Sequence, residues 1–252
     1  MVFPFAWQIS MSLSTNAQVL SVPPSFWPGV LQWGNYAEVF QKLPFLDQFW
    51  SSVWITVIRT AGQLIFCTLA GYGFARLQFR GKNLVFALVL SLLMVPPQIF
   101  LIPQYLIVQS FGLLDTAFGV ALPGVFSAFG TFLMRQAFAG LPSELEEAAR
   151  LDGANHFQIF SRVMLPLVGP SLSALVIITV LWSWNDLLWP LVVTTRVENM
   201  PLSVGLASLQ GQFSTDYSVL MAASLMATLP ILILFLALQR RVVQGLAFTG
   251  SK

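Results

Sequence analysis

The chain has 252 residues, 56% hydrophobic and 9% charged, with a mean hydropathy of +0.77. A soluble domain carries about 25% charged residues, so this composition excludes a water-soluble surface and points to a polytopic membrane protein. A net charge of +2 gives no support for nucleic-acid binding; one cysteine and one histidine leave neither an internal disulfide nor the usual His-based metal sites.

The first segment, "MVFPFAWQISMSLS", is apolar but too short to cross a bilayer. No basic stretch precedes it and no small-residue cleavage site follows, as a signal peptide would require. Residues 1–13 are therefore read as the remnant of a first span. Residues 14–50, with "SVPPSFWPG" and "WGNY", form an external loop whose Trp residues suit a membrane interface. Five apolar runs follow, at about 53–75, 84–106, 116–138, 167–193 and 218–239, each long enough for a spanning helix of roughly 20 residues. They are too long and too continuous for barrel strands of about ten residues. The expected fold is thus all-α and polytopic, with five complete spans plus the end of a truncated first one, and a core domain over 51–252.

Lys and Arg alternate between the connecting segments. Arg76, Arg80 and Lys82 lie between the first two complete spans, Arg135, Arg150 and Arg162 between the third and fourth, and Arg240, Arg241 and Lys252 after the fifth. The opposite connections hold only Lys42 and Arg196. The positive-inside rule places the first set, including the C-terminus and the loop 140–166, in the cytoplasm.

Within the spans, polar groups are costly and invite a functional reading. Arg59 and Gln63 stand one turn apart in the first complete span; they either face a cavity, or Arg59 snorkels or pairs with another subunit. Pro96, Pro97 and Pro103 break the second. In the fourth, Asn185 and Asp186 interrupt an apolar run among Trp182, Trp184 and Trp189. Amide, carboxylate and aromatic faces match the hydroxyls and C–H faces of a sugar, and equally an interfacial Trp belt with a snorkelling Asp.

The loop "ELEEAARLDGANHFQIFSRVMLP", Glu144–Pro166, concentrates charge that the rest of the chain lacks. Ser143 and Glu146 have the spacing of a capping box, and Glu144, Glu146 and Glu147 suit the positive end of a helix dipole. Leu145, Ala148, Ala149 and Leu151 give a small apolar face. Gly153 supplies a left-handed stop, Asn155 can cap a second helix carrying Phe157, Ile159, Phe160 and Val163, and Pro166 ends it and opens the next span. By pattern alone this is a helix–turn–helix, either a solvated connector or a docking element.

Glu147-Ala148-Ala149, then Gly153, then Val163-Met164-Leu165-Pro166 resembles the "EAA" loop of binding-protein-dependent ABC importer permeases, E-A-A-x3-G-x9-I-x-L-P, with Val163 in place of Ile. "PFAWQISMSLS" resembles the end of the first span in carbohydrate-type members, "AGYGFARLQFRGK" (Ala70–Lys82) their second-span exit, "WNDLLWPL" (Trp184–Leu191) a fifth-span signature, and "QRRVVQGLAFTGSK" (Gln239–Lys252) their tail. The chain is similar to the maltose-type inner permease subunit. That resemblance implies a type I ABC importer transmembrane domain in a bacterial or archaeal inner membrane. It implies an alternating-access path for a sugar or oligosaccharide, with glycerol 3-phosphate or another polar solute as the alternative. The implied coupling residues are Glu146, Glu147, Ala148, Ala149, Asp152, Gly153, Leu165 and Pro166; Glu147 would meet the ATPase, or serve only the helix end.

The implied partners are two cytoplasmic ABC ATPase subunits, a second homologous permease (or a second copy of this chain), and an extracytoplasmic solute-binding protein. ATP and Mg belong to the ATPase, because the lone Gly81-Lys82 pair is followed by Asn83 and builds no phosphate loop. An ion-driven secondary carrier finds no internal repeat here. A membrane enzyme finds no clustered chemistry. No cofactor is expected on this chain.

Overall fold

The computed structural model describes residues 3–23, 26–211 and 215–247, for 235 and 237–247 by backbone alone. The first two residues of the expected span remnant and the last five of the C-terminal tail, 248–252, lie outside the described residues, as do the tail's side chains from 239 onward. Among the described residues the elements are helices, with one isolated bridge between Gln210 and Thr215.

Short helices come first. They are α1 (Phe3–Ser12), α2 (Asn16–Val19) and α3 (Gly34–Lys42). Thr15 and Gln18 cap α2 reciprocally, each side chain accepting from the other's backbone N–H. The helical part of the segment expected as an external loop is therefore substantial, and α4 (Phe45–Arg76) begins inside it. Its 32 residues reach about 48 Å at 1.5 Å each, well beyond a hydrocarbon core. Of the expected spans, α4 and the last helix, α15 (Tyr217–Ala247), are continuous.

The other three are bent: the second, where the prolines were expected to break it, the third, for which no break was expected, and the fourth at its junction with the loop, where a boundary was expected at Pro166. The second runs as α5 (Lys82–Ser91) with a 3-10 turn to Met94. It then turns by 100° into Pro97–Phe100 and α6 (Leu101–Ser110). Pro96 and Pro97 cause the turn by removing consecutive N–H donors. Pro103 does not: it sits in the first turn of α6, where an amide donor is not needed. The third comprises α7 (Ala117–Ala121), a 3-10 turn through Gly124, and α8 (Ala128–Ala139), bent by 50°; Ser127 restarts the helix by accepting from Gly130 N at 3.2 Å.

After α9 (Glu144–Leu151), the segment His156–Leu167 comprises α10 (His156–Gln158), a π-helical stretch Ile159–Met164 and α11 (Leu165–Leu167). It meets α12 (Gly169–Trp184) at 76°. Pro166 therefore does not end the second loop helix. It lies in α11, and the break falls at Val168, ahead of Gly169-Pro170. Beyond α12 come α13 (Leu188–Val193) and α14 (Leu202–Ser208). Among the described residues, two helices are long and apolar enough to cross a bilayer, or up to five if each bent pair is one span.

The chain forms two compact units: residues up to 54 with 113–120 and 184–235, and residues 55–112 with 121–183 and the C-terminal stretch. The first packs Val39, Leu43, Phe45, Leu202, Val219, Ala222, Ala223 and Ala227 into one core. Two polar ties serve it. Lys42 Nζ pairs with Glu38 at 2.7 Å and Asp216 at 3.2 Å. Asp115, at φ 57°, receives the Thr195 hydroxyl, Thr195 N at 2.5 Å and Arg196 N at 2.9 Å. The Thr195 hydroxyl, with those two backbone N–H groups, holds the Asp115 carboxyl below its ordinary range. A carboxylate with a depressed folded pKa stabilises above its unfolded value, about 3.9, and that stability goes as pH falls through the lower folded value. Acidification below about pH 4 should therefore raise amide exchange over 194–199, and Asp115→Asn should make exchange there fast and nearly pH-independent once intrinsic exchange chemistry is corrected for. Equal pH profiles in both proteins would refute this.

The second unit buries Cys67, Tyr72, Met134, Phe138, Ile159, Phe160, Met164, Val168 and Leu175. Tyr72, Phe138 and Phe160 form an aromatic triad with ring centroids 5.0–6.2 Å apart. Gly71 lets α4 approach α8: a Cβ there would lie 2.6 Å from Met134 Cβ and 2.8 Å from Arg135 N.

Candidate functional site

Helix α9 is built the reverse of a surface helix. Glu146 is its buried residue, 7% exposed, while Leu151 is 90% exposed. Glu144, Leu145, Glu147 and Ala148 are also exposed, and Ala149 rests partly against the core. Glu147 and Leu151, four residues apart, share the outward face; Glu146 and Arg150 share another. The expected apolar face is thereby corrected: Leu145, Ala148 and Leu151 do not form the buried side.

The expected capping box is corrected too. Ser143 has helical backbone angles and makes no side-chain cap; its carbonyl instead accepts from Glu146 N and Glu147 N at 3.0 and 3.1 Å. Glu146 is turned inward, with Oε1 3.5 Å from Arg76 Nε and Oε2 3.7 Å from Arg150 Nη2.

The helix ends as expected at Gly153, φ 83°. Ala154 N donates to Ala149 O and Gly153 N to Arg150 O, both at 3.0 Å, which satisfies the last carbonyls in a Schellman arrangement. Asn155 then caps the second helix, exchanging bonds of 2.9 Å with Gln158 in a capping box. Phe157 is 72% exposed, whereas Ile159, Phe160 and Met164 enter the core. A shallow cavity of about 350 Å³ lies among Ala149, Asp152, Gly153, Gln158 and Arg162. The loop therefore has one side packed into the core of the second unit, while Glu147, Ala148 and Leu151 share an exposed face of α9 and Phe157 is exposed beyond the turn. Leu165 and Pro166 stand further along, beside the π-helical stretch.

The Trp-Asn-Asp cluster falls where the helix stops. Residues Asn185–Leu187 separate α12 from α13, so backbone polar groups are freed there. Such breaks are tolerated at membrane depth where they meet protein or line a wet cavity. A cavity of about 410 Å³ opens at this break, lined by Trp184, Asn185, Ser203, Ser224, Thr228 and apolar neighbours, none of them charged. Trp184 Nε1 donates to Ala227 O at 3.1 Å, and the ring meets Phe49 edge-on. Ser203 donates to Asp186 O at 2.6 Å, and Thr228 to Ser224 O at 2.7 Å. The three Trp residues are separated: Trp184 lines the cavity, Trp182 is exposed and pairs with Phe129, and Trp189 is buried with its N–H on Val120 O.

In the second unit Gln63 is held between Thr179 Oγ1 and Gly124 O, both at 2.9 Å, so it takes up a carbonyl released by the break after α7. Arg59 is buried and its stem lies against Gly124.

In the sequence, Leu151 and Phe157 stand out only as apolar helix positions and Arg76 only as a positive-inside charge, and the hydroxyls of Ser203, Ser224 and Thr228 do not stand out at all. The four-residue spacing of Glu147 and Leu151 was an available signal. The hydroxyls, far apart in sequence, had none.

Residues 64–247 match the family described as "Binding-protein-dependent transport system inner membrane component". The chain belongs to this family. It is a membrane permease subunit of an ABC transporter, not an enzyme. This permease is 37% identical to the arabinooligosaccharides transport system permease protein AraQ of Halalkalibacterium halodurans, over all of this chain and 91% of that one. It is 34% identical to the lactose transport system permease protein LacG of Rhizobium radiobacter, over 97% and 89%. It is 32% identical to the sn-glycerol-3-phosphate permease UgpE of Pectobacterium atrosepticum, over 97% and 90%. Among solved structures, a chain of a bacterial ABC transporter involved in the import of the acidic polysaccharide alginate superposes with a TM-score of 0.84. That match has 26% identity over 95% of the permease and 90% of that chain. The permease therefore has the type I importer fold.

Proposed function

We propose that this permease imports a sugar or oligosaccharide by alternating access, and that ATP-driven closure of a separate ATPase reaches it through the loop 140–166. The observation that carries the coupling reading is the outward face of Glu147, Ala148, Leu151 and Phe157 on a loop whose inner face is part of the core. Exposed leucine and phenylalanine beside a carboxylate suit a protein partner better than water. Asp152 and Gly153 set the turn, and Leu165 and Pro166 continue it toward α12. In this reading the loop and the C-terminus are cytoplasmic. Residues 14–50 face outward, and 51–252 form the core with five spans.

The relatives named for arabinooligosaccharides and lactose favour a sugar over glycerol 3-phosphate. So does the uncharged, hydroxyl-lined cavity, which offers a phosphate no cation. We assign Trp184, Asn185 and Asp186 to the substrate path; Arg59 and Gln63 supply polar support where the third expected span is broken after Gly124. The working assembly is two ATPase subunits, a second homologous permease or a second copy of this chain, and an external binding protein.

The test is reconstitution of the purified complex with its ATPase and binding protein. Leu151→Asp should lower ATPase retention on the order of tenfold. Asn185→Ala should keep the ATPase and raise the half-saturating solute concentration about fivefold, as loss of one hydrogen bond predicts. Import by the permease without any ATPase would sink the scheme.

A further inference from the structure

We propose that the Glu146–Arg76 pair is the tether by which movement of α9 is passed to the membrane helices, which makes both positioning residues for transport. This deepens the docking reading above and rests on it. Arg76 stands at the last residue of α4, yet its guanidinium serves α8: Nε and Nη2 donate to Phe138 O at 3.0 and 2.6 Å, and Nη2 also donates to Leu141 O. One side chain thus joins the end of α4 to the end of α8, through Phe138 O, which also accepts from Leu141 N at 3.2 Å, and through Leu141 O just beyond the helix. Glu146 adds the third member, with Oε1 3.5 Å from Arg76 Nε.

The two halves of the loop are held by different forces. The second half is held by Ile159, Phe160 and Met164, buried in the core. Helix α9 contributes only the small Ala149 to that core, so apolar contact alone would let it slide. Its inward charge is what resists. Both side chains are nearly buried, with exposures of 12% for Arg76 and 9% for Glu146. Separating them would take from the nearly buried Arg76 its carboxylate and leave Glu146 only the half-exposed Arg150 at 3.7 Å, which is unfavourable. Glu146 Oε1 makes no hydrogen bond among the described residues, so the attraction is electrostatic and tolerates small shifts without losing hold. Glu147, one residue on, is exposed. Adjacent carboxylates therefore divide the work, one toward the partner and one toward the spans.

The experiment uses the complete transporter in proteoliposomes and reads ATP hydrolysed per solute imported, with retention of the ATPase measured alongside. Glu146→Gln keeps the shape and removes the charge. It should raise the ratio on the order of tenfold, the size of a typical coupling free energy, while the ATPase stays bound. Arg76→Lys, which keeps a charge but cannot reach all three partners, should move the ratio the same way. Glu146→Asp should restore it partly. An unchanged ratio in Glu146→Gln and Arg76→Lys overturns the tether, and so does a complex that falls apart, since the pair would then only hold the fold together. Glu147→Gln separates the two readings: it should release the ATPase. If it does so while Glu146→Gln stays tightly coupled, only the tether fails; if it leaves binding and coupling intact, the docking reading fails and takes the tether with it.

Discussion

Gly153→Val is expected to abolish solute import while the permease still enters the membrane. The residue lies at φ 83°, and nothing within 4 Å would meet an added Cβ, so the obstacle is the backbone and not space. A β-branched side chain resists that region strongly, at about 1–2 kcal/mol or more. Relief requires the chain to leave the left-handed region, which breaks the bonds from Gly153 N to Arg150 O and Ala154 N to Ala149 O. The outward face of α9 would then lose its fixed angle to the segment 156–167. Import in reconstituted vesicles should fall at least about tenfold, and ATPase retention should fall with it, whereas Gly153→Asn, which tolerates positive φ, should keep most of both. Normal import by the valine variant would show that the turn does not set the coupling geometry.

A second large effect is expected at Gly71, with a control two residues away. A methyl group at 71 meets Met134 Cβ at 2.6 Å and the backbone of Met134 and Arg135 at 2.8–2.9 Å. Backbone cannot rotate aside, so α4 and α8 must separate, and the overpacking costs about 1–3 kcal/mol. Small residues at such crossings are what allow membrane helices to pack closely. Gly73 has nothing within 4 Å. Gly71→Ala should lower the melting temperature of the detergent-purified permease by several degrees, while Gly73→Ala should leave it level or slightly higher, since alanine is the better helix former by about 1 kcal/mol. Equal melting curves for the two variants would mean that the close crossing is not a stability determinant.

Much of the fold was legible because lipid leaves the backbone few choices. Apolar runs located the two long apolar helices and the three bent helix pairs, Pro96-Pro97 announced the sharpest bend, and Gly153 and Asn155 each performed the local task their chemistry predicts. These features depend on neighbours in sequence. The loop motif was equally legible, since E-A-A, Gly and L-P keep a fixed spacing along one stretch. The break after Gly124 was not read, because the carbonyl it frees is taken up by a distant group, Gln63, itself held by Thr179; the break at Val168 was expected two residues earlier, at Pro166.

The side of α9 that faces inward was misread for the same reason. Taken alone, Ser143 and Glu146 look like a cap, and Leu145 and Leu151 look like a buried face. Arg76, 70 positions earlier than Glu146, draws the carboxylate in and leaves leucine outside. Likewise Asn185 was visible as a polar interruption, but the cavity beside it is assembled with Ser203, Ser224 and Thr228 from two other helices. The sequence by itself determined a helical permease in the membrane and the place of its loop, because hydrophobic length and local turn chemistry suffice for both. Only the tertiary structure decided which face of that loop is held and which is offered, because a buried charge goes where its partner is, and that partner is brought near by folding alone.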